Sequence, residues 1–246
     1  MNEITFTVYS GDGYGFHWRH TKINNIPIIN CFSILSCFLV PCQVCFANSD
    51  FVIRSVQTAE PVVALTFDDG PTRYTDDILA VLEEYQVTAT FFLIGSQLRR
   101  YSDYVTRLIP EGHSVGNHSY DHRHISVQSE PDLLKNIAKT QLLFYDFLGV
   151  LPIYYRPPYG DVNETQELLL RKHFSYLVRW SIDPKDWDRK RSQDDIINHV
   201  LTSLKPGSIV VLHERKQTSK FLPELILAIQ QEGYQLVSLD YLINNF

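Results

Sequence analysis

Val62-Val63-Ala64-Leu65-Thr66-Phe67-Asp68-Asp69-Gly70-Pro71 is an apolar run that stops on two adjacent carboxylates and a Gly-Pro pair. A short, unbroken apolar run bounded by turn residues reads as a strand buried on both faces, the kind found in parallel sheets. Further β-rich runs follow at 88–94, 113–116, 153–156, 175–180, 208–212 and 234–237, which makes about seven strands with residues 62–67. Between them, Ile78, Leu79, Val81, Leu82 and Tyr85 recur at helical spacing. So do Leu133, Leu134, Ile137 and Leu142, with Pro131 near the first turn. Helices are also expected over 101–110, 164–172, 193–203 and 222–232. Strands alternating with helices imply parallel pairing through helical crossovers. No Gly-x-Gly-x-x-Gly follows a strand, so the expected fold is an α/β closed or nearly closed barrel of about seven parallel strands, not an open dinucleotide-binding sheet.

The chain has 246 residues and 44% hydrophobic content, enough for one domain with a sizeable core. A formal net charge of -6 offers no broad cationic field, so no nucleic-acid partner is expected. All 4 cysteines, Cys31, Cys37, Cys42 and Cys45, fall in one apolar stretch, which leaves the folded part without a disulfide. That stretch, residues 26–47, follows Arg19, His20 and Lys22 and carries no charge, the pattern of an export signal ending at Cys45-Phe46-Ala47. A run of about 20 apolar residues also suffices to stay in the bilayer as an anchor. Residues 1–18 are polar and long for the start of such a signal. Residues 1–47 are therefore expected to be an N-terminal extension with a signal peptide or membrane anchor, and 48–246 the folded domain. The protein is expected to be exported: secreted, in the cell envelope, or membrane-anchored through residues 26–47.

The chemistry-bearing residues gather where strands stop. Asp68 and Asp69 end the first strand; adjacent side chains on a strand face opposite ways, so the Gly70-Pro71 turn is expected to bring both to one site. Taken alone, Asp-Asp-Gly-Pro reads more readily as a surface turn. His118 and His122, in Asn117-His118-Ser119-Tyr120-Asp121-His122, would share one face of a helical turn, about 5–6 Å apart at Cβ, close enough to hold one metal. His124 lies off that face. Arg156-Pro157-Pro158-Tyr159-Gly160 fixes its backbone with two prolines, so the Tyr159 amide can be aimed at a substrate oxygen. Asp183, Asp186 and Trp187 follow the next strand, and His213 closes the strand ending Val211-Leu212. The cations Lys185, Arg189, Lys190 and Arg191 could meet an anionic glycan or simply be a solvated face. Each signal is weak alone; their order at successive strand ends, on the face where a barrel collects its chemistry, is what joins them.

The ordered set Thr-Phe-Asp-Asp-Gly-Pro, His-Ser-x-x-His, Arg-Pro-Pro-Tyr-Gly, Asp-x-x-Asp-Trp and x-Leu-His resembles the NodB-type polysaccharide deacetylases, carbohydrate esterase family 4, over about residues 60–240. The resemblance implies a distorted (β/α) barrel. It implies a metal-dependent hydrolase that removes N-acetyl groups from N-acetylglucosamine-containing polysaccharide, peptidoglycan or a chitin-like glycan, acting on carbon–nitrogen but not peptide bonds. It implies metal binding by Asp69, His118 and His122, with Asp68 as catalytic base and His213 as acid. The Tyr159 amide would stabilise the oxyanion, Trp187 and Leu212 would line the acetyl pocket, Arg156 would orient Asp68, and Asp186 would pair with His213. The ligand set suits a divalent metal, Zn²⁺ first, with Co²⁺ or Ni²⁺ accommodated. Val211 departs from the family's usual leucine. The alternatives are an O-acetyl esterase on xylan and a catalytically inactive glycan-binding relic. The partner is an acetylated polysaccharide, with the membrane engaged only through the N-terminal hydrophobic segment if it is uncleaved.

Overall fold

The structure, a computed structural model, describes residues 7–9, 15–17 and 51–246. It divides into two units, 1–46 and 47–246. In the first, β1 (Thr7–Tyr9) and β2 (Gly15–His17) pair antiparallel. The apolar stretch 26–47 and its cysteines lie outside the described residues. Among the described residues no helix is long and apolar enough to cross a membrane.

The second unit alternates strands and helices. Its strands are β3 (Val52–Ile53), β4 (Val62–Gly70), β5 (Thr90–Leu93), β6 (Ser114–Asn117), β7 (Tyr154–Tyr155), β8 (Tyr176–Val178), β9 (Ser208–His213) and β10 (Gln235–Val237). Its helices are α1 (Thr75–Glu84), α2 (Gly95–Leu98), α3 (Ser102–Leu108), α4 (Glu130–Leu148), α5 (Glu164–Leu170), α6 (Gln193–Ser203), α7 (Lys216–Gln231) and α8 (Leu239–Asn245). All the ladders of this unit are parallel, in the order β10-β4-β5-β6-β7-β8-β3, with β9 also on β4. Along β4, β9 takes one edge, while β10 and β5 share the other, over Val62–Ala64 and from Thr66 onward. After β8 the chain runs beside β9, bridging Ile182 to Val210. The sheet thus curls back on itself without a full ladder at that seam, a distorted (β/α) barrel.

The seven expected strands all form, and β3 is an eighth. Two residues carry no readable period, so only the pairing of β3 with Leu177 and Val178 defines it. Strand alternation explains β4. Val63, Leu65 and Phe67 face outward onto α1 and α7, packing with Leu79, Leu82, Leu222 and Ile226, while Val62 and Ala64 join the separate cluster of Phe92, Val178 and Ile209. A Cβ on Gly116 would lie 2.4 Å from the Phe92 ring, so β6 needs glycine there. Caps set the helix starts: Ser129 accepts from Asp132 N–H at α4, and Asn163 and Ser192 form capping boxes at α5 and α6. α7 departs from expectation. The helix expected over 222–232 begins earlier, at Lys216, and carries Pro223 inside. Burial of Thr218, Phe221, Leu222, Leu225 and Ile226 along one face outweighs the lost backbone bond.

Candidate active site

Both carboxylates of β4 reach one site, but not through the Gly-Pro turn. The β4–β5 register shifts between Phe67 and Gly70, and Asp69 takes a φ of 69°. This bulge within the strand turns Asp69 to the same side as Asp68. The His118–His122 pair also departs from expectation, because the segment is not helical. Ser119 (φ 67°) and His122 (φ 56°) are left-handed, and the bend is tied by side chains. Asn117 accepts from Ser119 N–H at 2.8 Å, Ser119 Oγ from His122 N–H at 2.9 Å, and Asn136 from Tyr120 N–H at 2.7 Å. The imidazoles still meet, with ring centroids 5.0 Å apart. Among the described residues, 6 non-glycine residues have positive φ; of these Asp69 lies at the end of β4, and Ser119, His122, Tyr159 and Lys185 lie in segments that follow β6, β7 and β8. Such a concentration of costly backbone marks a functional region.

Asp69, His118 and His122 offer ligand atoms all within 4.8 Å of one another. Asp69 Oδ1 lies 3.0 Å from His122 Nε2 and 3.7 Å from His118 Nε2, yet this buried oxygen has no properly directed hydrogen bond. His118 Nδ1 is 2.7 Å from the Arg156 carbonyl, which only accepts, so the proton sits on Nδ1 and the Nε2 lone pair faces Asp69. Burial pushes the His118 pKa down despite Asp68 and Asp69, favouring the neutral ligand form. Burial opposes charge on Asp69, but the close approach of His122, with His118 and His213 nearby, prevails and holds its carboxyl well below the usual range. A carboxylate and two lone-pair nitrogens around one point are a donor set fit for a divalent cation.

Asp68 is buried and held by Arg156 Nη1 at 2.7 Å. The fully buried Arg156 also donates to Thr66 Oγ1 at 2.7 Å and to the carbonyls of Val178 and Arg179, with Phe92 3.9 Å from its guanidinium carbon. Across the site, Asp186 Oδ1 lies 2.7 Å from His213 Nδ1, while its Oδ2 accepts from His213 N–H and the Thr218 hydroxyl. Burial opposes protonation of His213, but the hydrogen bond and charge of Asp186, with Asp68 and Asp69 behind it, raise its pKa.

Asp68, Asp69, His118, His122 and His213 open on a cavity of about 570 Å³ that Tyr159, Trp180, Trp187, Val211 and Arg215 help to line. Leu212 does not line it, contrary to expectation. On β9, Val211 and His213 share one face, paired with Thr66 and Asp68, while Leu212 pairs with Phe67 and packs into the outer core. His124 lies outside the ligand group, stacked on Tyr159 at 4.0 Å and beside Asp161. Arg215, absent from the sequence reading, donates to Asp69 Oδ2 at 3.3 Å. A lone cation two residues past a strand gave no signal.

Glu214 was also missed. Its buried Oε2 accepts from Thr72 N–H at 3.1 Å and meets the Thr75 hydroxyl, and a Cβ on Gly70 would lie 1.8 Å from its Oε1. Burial, opposed by Thr75 and Thr72 and reinforced by Asp69, pushes its pKa from 4.5 up to about 7. Between those values the folded protein keeps a proton that the unfolded chain has lost. Stability should therefore fall as pH rises from 4.5 to 7, by about 3 kcal/mol in all. Glu214→Gln is expected to flatten this slope in denaturant titrations at pH 5 and 8; an unchanged slope would refute the assignment.

The family model for polysaccharide deacetylase matches residues 55–175. The chain is 36% identical over 184 residues to the Listeria monocytogenes peptidoglycan-N-acetylglucosamine deacetylase PgdA, covering 73% of this chain but only 38% of that one. It is 32% identical over 200 residues to a Bacillus cereus peptidoglycan-N-acetylglucosamine deacetylase, covering 78% of this chain and 93% of that one. Among solved structures, a peptidoglycan N-acetylglucosamine deacetylase in complex with 4-naphthalen-1-yl-N-oxidanyl-benzamide superposes with a TM-score of 0.73 at 33% identity, covering 78% of this chain and 92% of that one. With the barrel, the Asp-His-His cluster and these likenesses together, the chain belongs to the polysaccharide deacetylase family.

Proposed function

We propose that this protein is a metal-dependent deacetylase that hydrolyses N-acetyl groups on an N-acetylglucosamine-containing glycan. The observation that carries this reading is the placement of Asp68 and His213 around the Asp69, His118 and His122 cluster in one cavity. The names of the relatives favour peptidoglycan as the polymer. Asp69, His118 and His122 would hold a divalent cation, Zn²⁺ or in its place Co²⁺ or Ni²⁺, which would supply Lewis acidity toward the acetyl carbonyl and the attacking water. Asp68 takes the water's proton, its carboxylate aimed by Arg156. The Tyr159 amide donates to the oxygen that gains charge, at a turn held left-handed with φ 60°. His213 then gives its Nε2 proton to the departing amine, which would otherwise leave as an unstable anion. Trp187 and Val211 bound the space for the acetyl methyl. The test is acetate release from N-acetylated chito-oligosaccharides and peptidoglycan fragments, abolished by chelation and restored by Zn²⁺ or Co²⁺. Lack of release from every such glycan sinks the reading.

Asp186 acts through His213 as a positioning residue. Because it raises the His213 pKa, and the acid must be protonated to work, Asp186→Asn is expected to move the alkaline limb of the kcat/KM–pH profile to lower pH. A uniform loss at all pH values with no shift of the limb would contradict this. Residues 1–47 serve export, as signal peptide or membrane anchor, and 48–246 hold the catalytic domain; the uncharged apolar run after Lys22 supports this division.

A further inference from the structure

A second cavity, about 600 Å³, adjoins the catalytic one and shares Trp187 and Arg215 with it. Its wall brings together Arg189, Arg215, Lys216 and Lys220 against a single carboxylate, Asp186. Asp186 offers that cavity no compensation, since both of its oxygens are taken by His213 and Thr218. Among the described residues, Arg189, Lys216 and Lys220 have no carboxylate within ion-pair distance. Lys216 and Lys220 sit one turn apart on α7, where like charges repel. A chain of net charge -6 thus gathers uncompensated positive charge beside its catalytic cavity. Trp187 stands on the boundary, nearly half exposed, as an apolar platform for a sugar face.

We propose that this cavity is a subsite for an anionic substituent, a carboxylate or phosphate, carried by the sugar next to the one being deacetylated. The inference rests on the deacetylase reading and narrows its substrate class to acidic glycans. Arg189, Lys216 and Lys220 hold the anion, Trp187 supports the sugar between the two cavities, and Arg215 faces both. Contacts at an exposed rim act mainly on affinity and capture, so the preference lies in KM and weakens with salt.

The experiment compares four oligosaccharides of equal length: an N-acetylglucosamine oligomer, the same backbone bearing lactyl carboxylates on alternate sugars, that compound with its carboxylates amidated, and a 6-phosphorylated oligomer. Turnover and Kd are measured for the wild type and for the Arg189→Gln/Lys216→Gln/Lys220→Gln variant, whose changes are at exposed positions and whose folding is checked by its Tm. The wild type is expected to favour the carboxylate over its amide by about 10-fold in kcat/KM and Kd, with 0.5 M salt reducing the gap. The variant should lose that preference while keeping its rate on the neutral oligomer. A preference for the phosphorylated oligomer alone assigns the anion to phosphate. Equal binding of carboxylate and amide with no gain from phosphate, or a variant that keeps the preference, overturns the subsite. Failure of the deacetylase reading shows separately, as no acetate from any of the four, and the Kd comparison then still decides the subsite.

Discussion

Asp68→Asn is expected to lower kcat/KM for N-acetyl hydrolysis by about 10²–10⁴-fold, the range a positioned general base supplies. Asparagine preserves the shape and can still accept from Arg156 but cannot take the proton. Metal content should stay at the wild-type level, because the three convergent donors belong to Asp69, His118 and His122. Stability should fall as well, since Arg156 is left charged in a buried site; removing one partner of a buried pair costs about 3–5 kcal/mol in the extreme. Here Thr66, the carbonyls of Val178 and Arg179, and the face of Phe92 retain the guanidinium and lessen the penalty. Acetate release, metal analysis and Tm on the same preparation separate these effects. An active Asp68→Asn protein, or one that has lost its metal, contradicts the assignment of Asp68 as base.

The second large effect divides ligand from acid. Asp69→Ala and His118→Ala should each weaken metal binding by more than the 10–100-fold seen when only a supporting group is lost, and activity should vanish with the metal. His213→Ala should keep its metal, because His213 is absent from the converging donor set and is committed through Nδ1 to Asp186. It should lose amide hydrolysis yet retain more of any O-acetyl ester hydrolysis, since an alkoxide leaves with less protonation help than an amine. Metal loss in His213→Ala, or full metal content in His118→Ala, reverses the roles.

The strands and their chemistry were legible for different reasons. β4 could be read because a strand buried on both faces must be apolar throughout, so its end at Asp68 is abrupt. β3 could not, since two residues have no period. Leu212 and Val211 are one residue apart on β9, and the face each takes depends on register with Thr66 and Phe67, which an unbroken apolar run does not disclose. Arg215 and Glu214 were unreadable because their roles consist of contacts with Asp69, Thr72 and Thr75, far away in the chain.

By itself, then, the sequence determined the alternation of strands and helices, the parallel sheet this demands, and the identity of the residues at each strand end, because periodicity and turn chemistry are local. Only the tertiary structure decided how those residues face one another. The bulge at Asp69, not the Gly-Pro turn, brings the two carboxylates together, and a side-chain-tied bend, not a helix, brings His118 to His122. The same holds for the cationic cavity beside Trp187, where Arg189 and Lys220 meet only because the loop after β8 and the start of α7 fold against each other. Direction and distance are set by packing between segments remote in sequence, which no local pattern encodes.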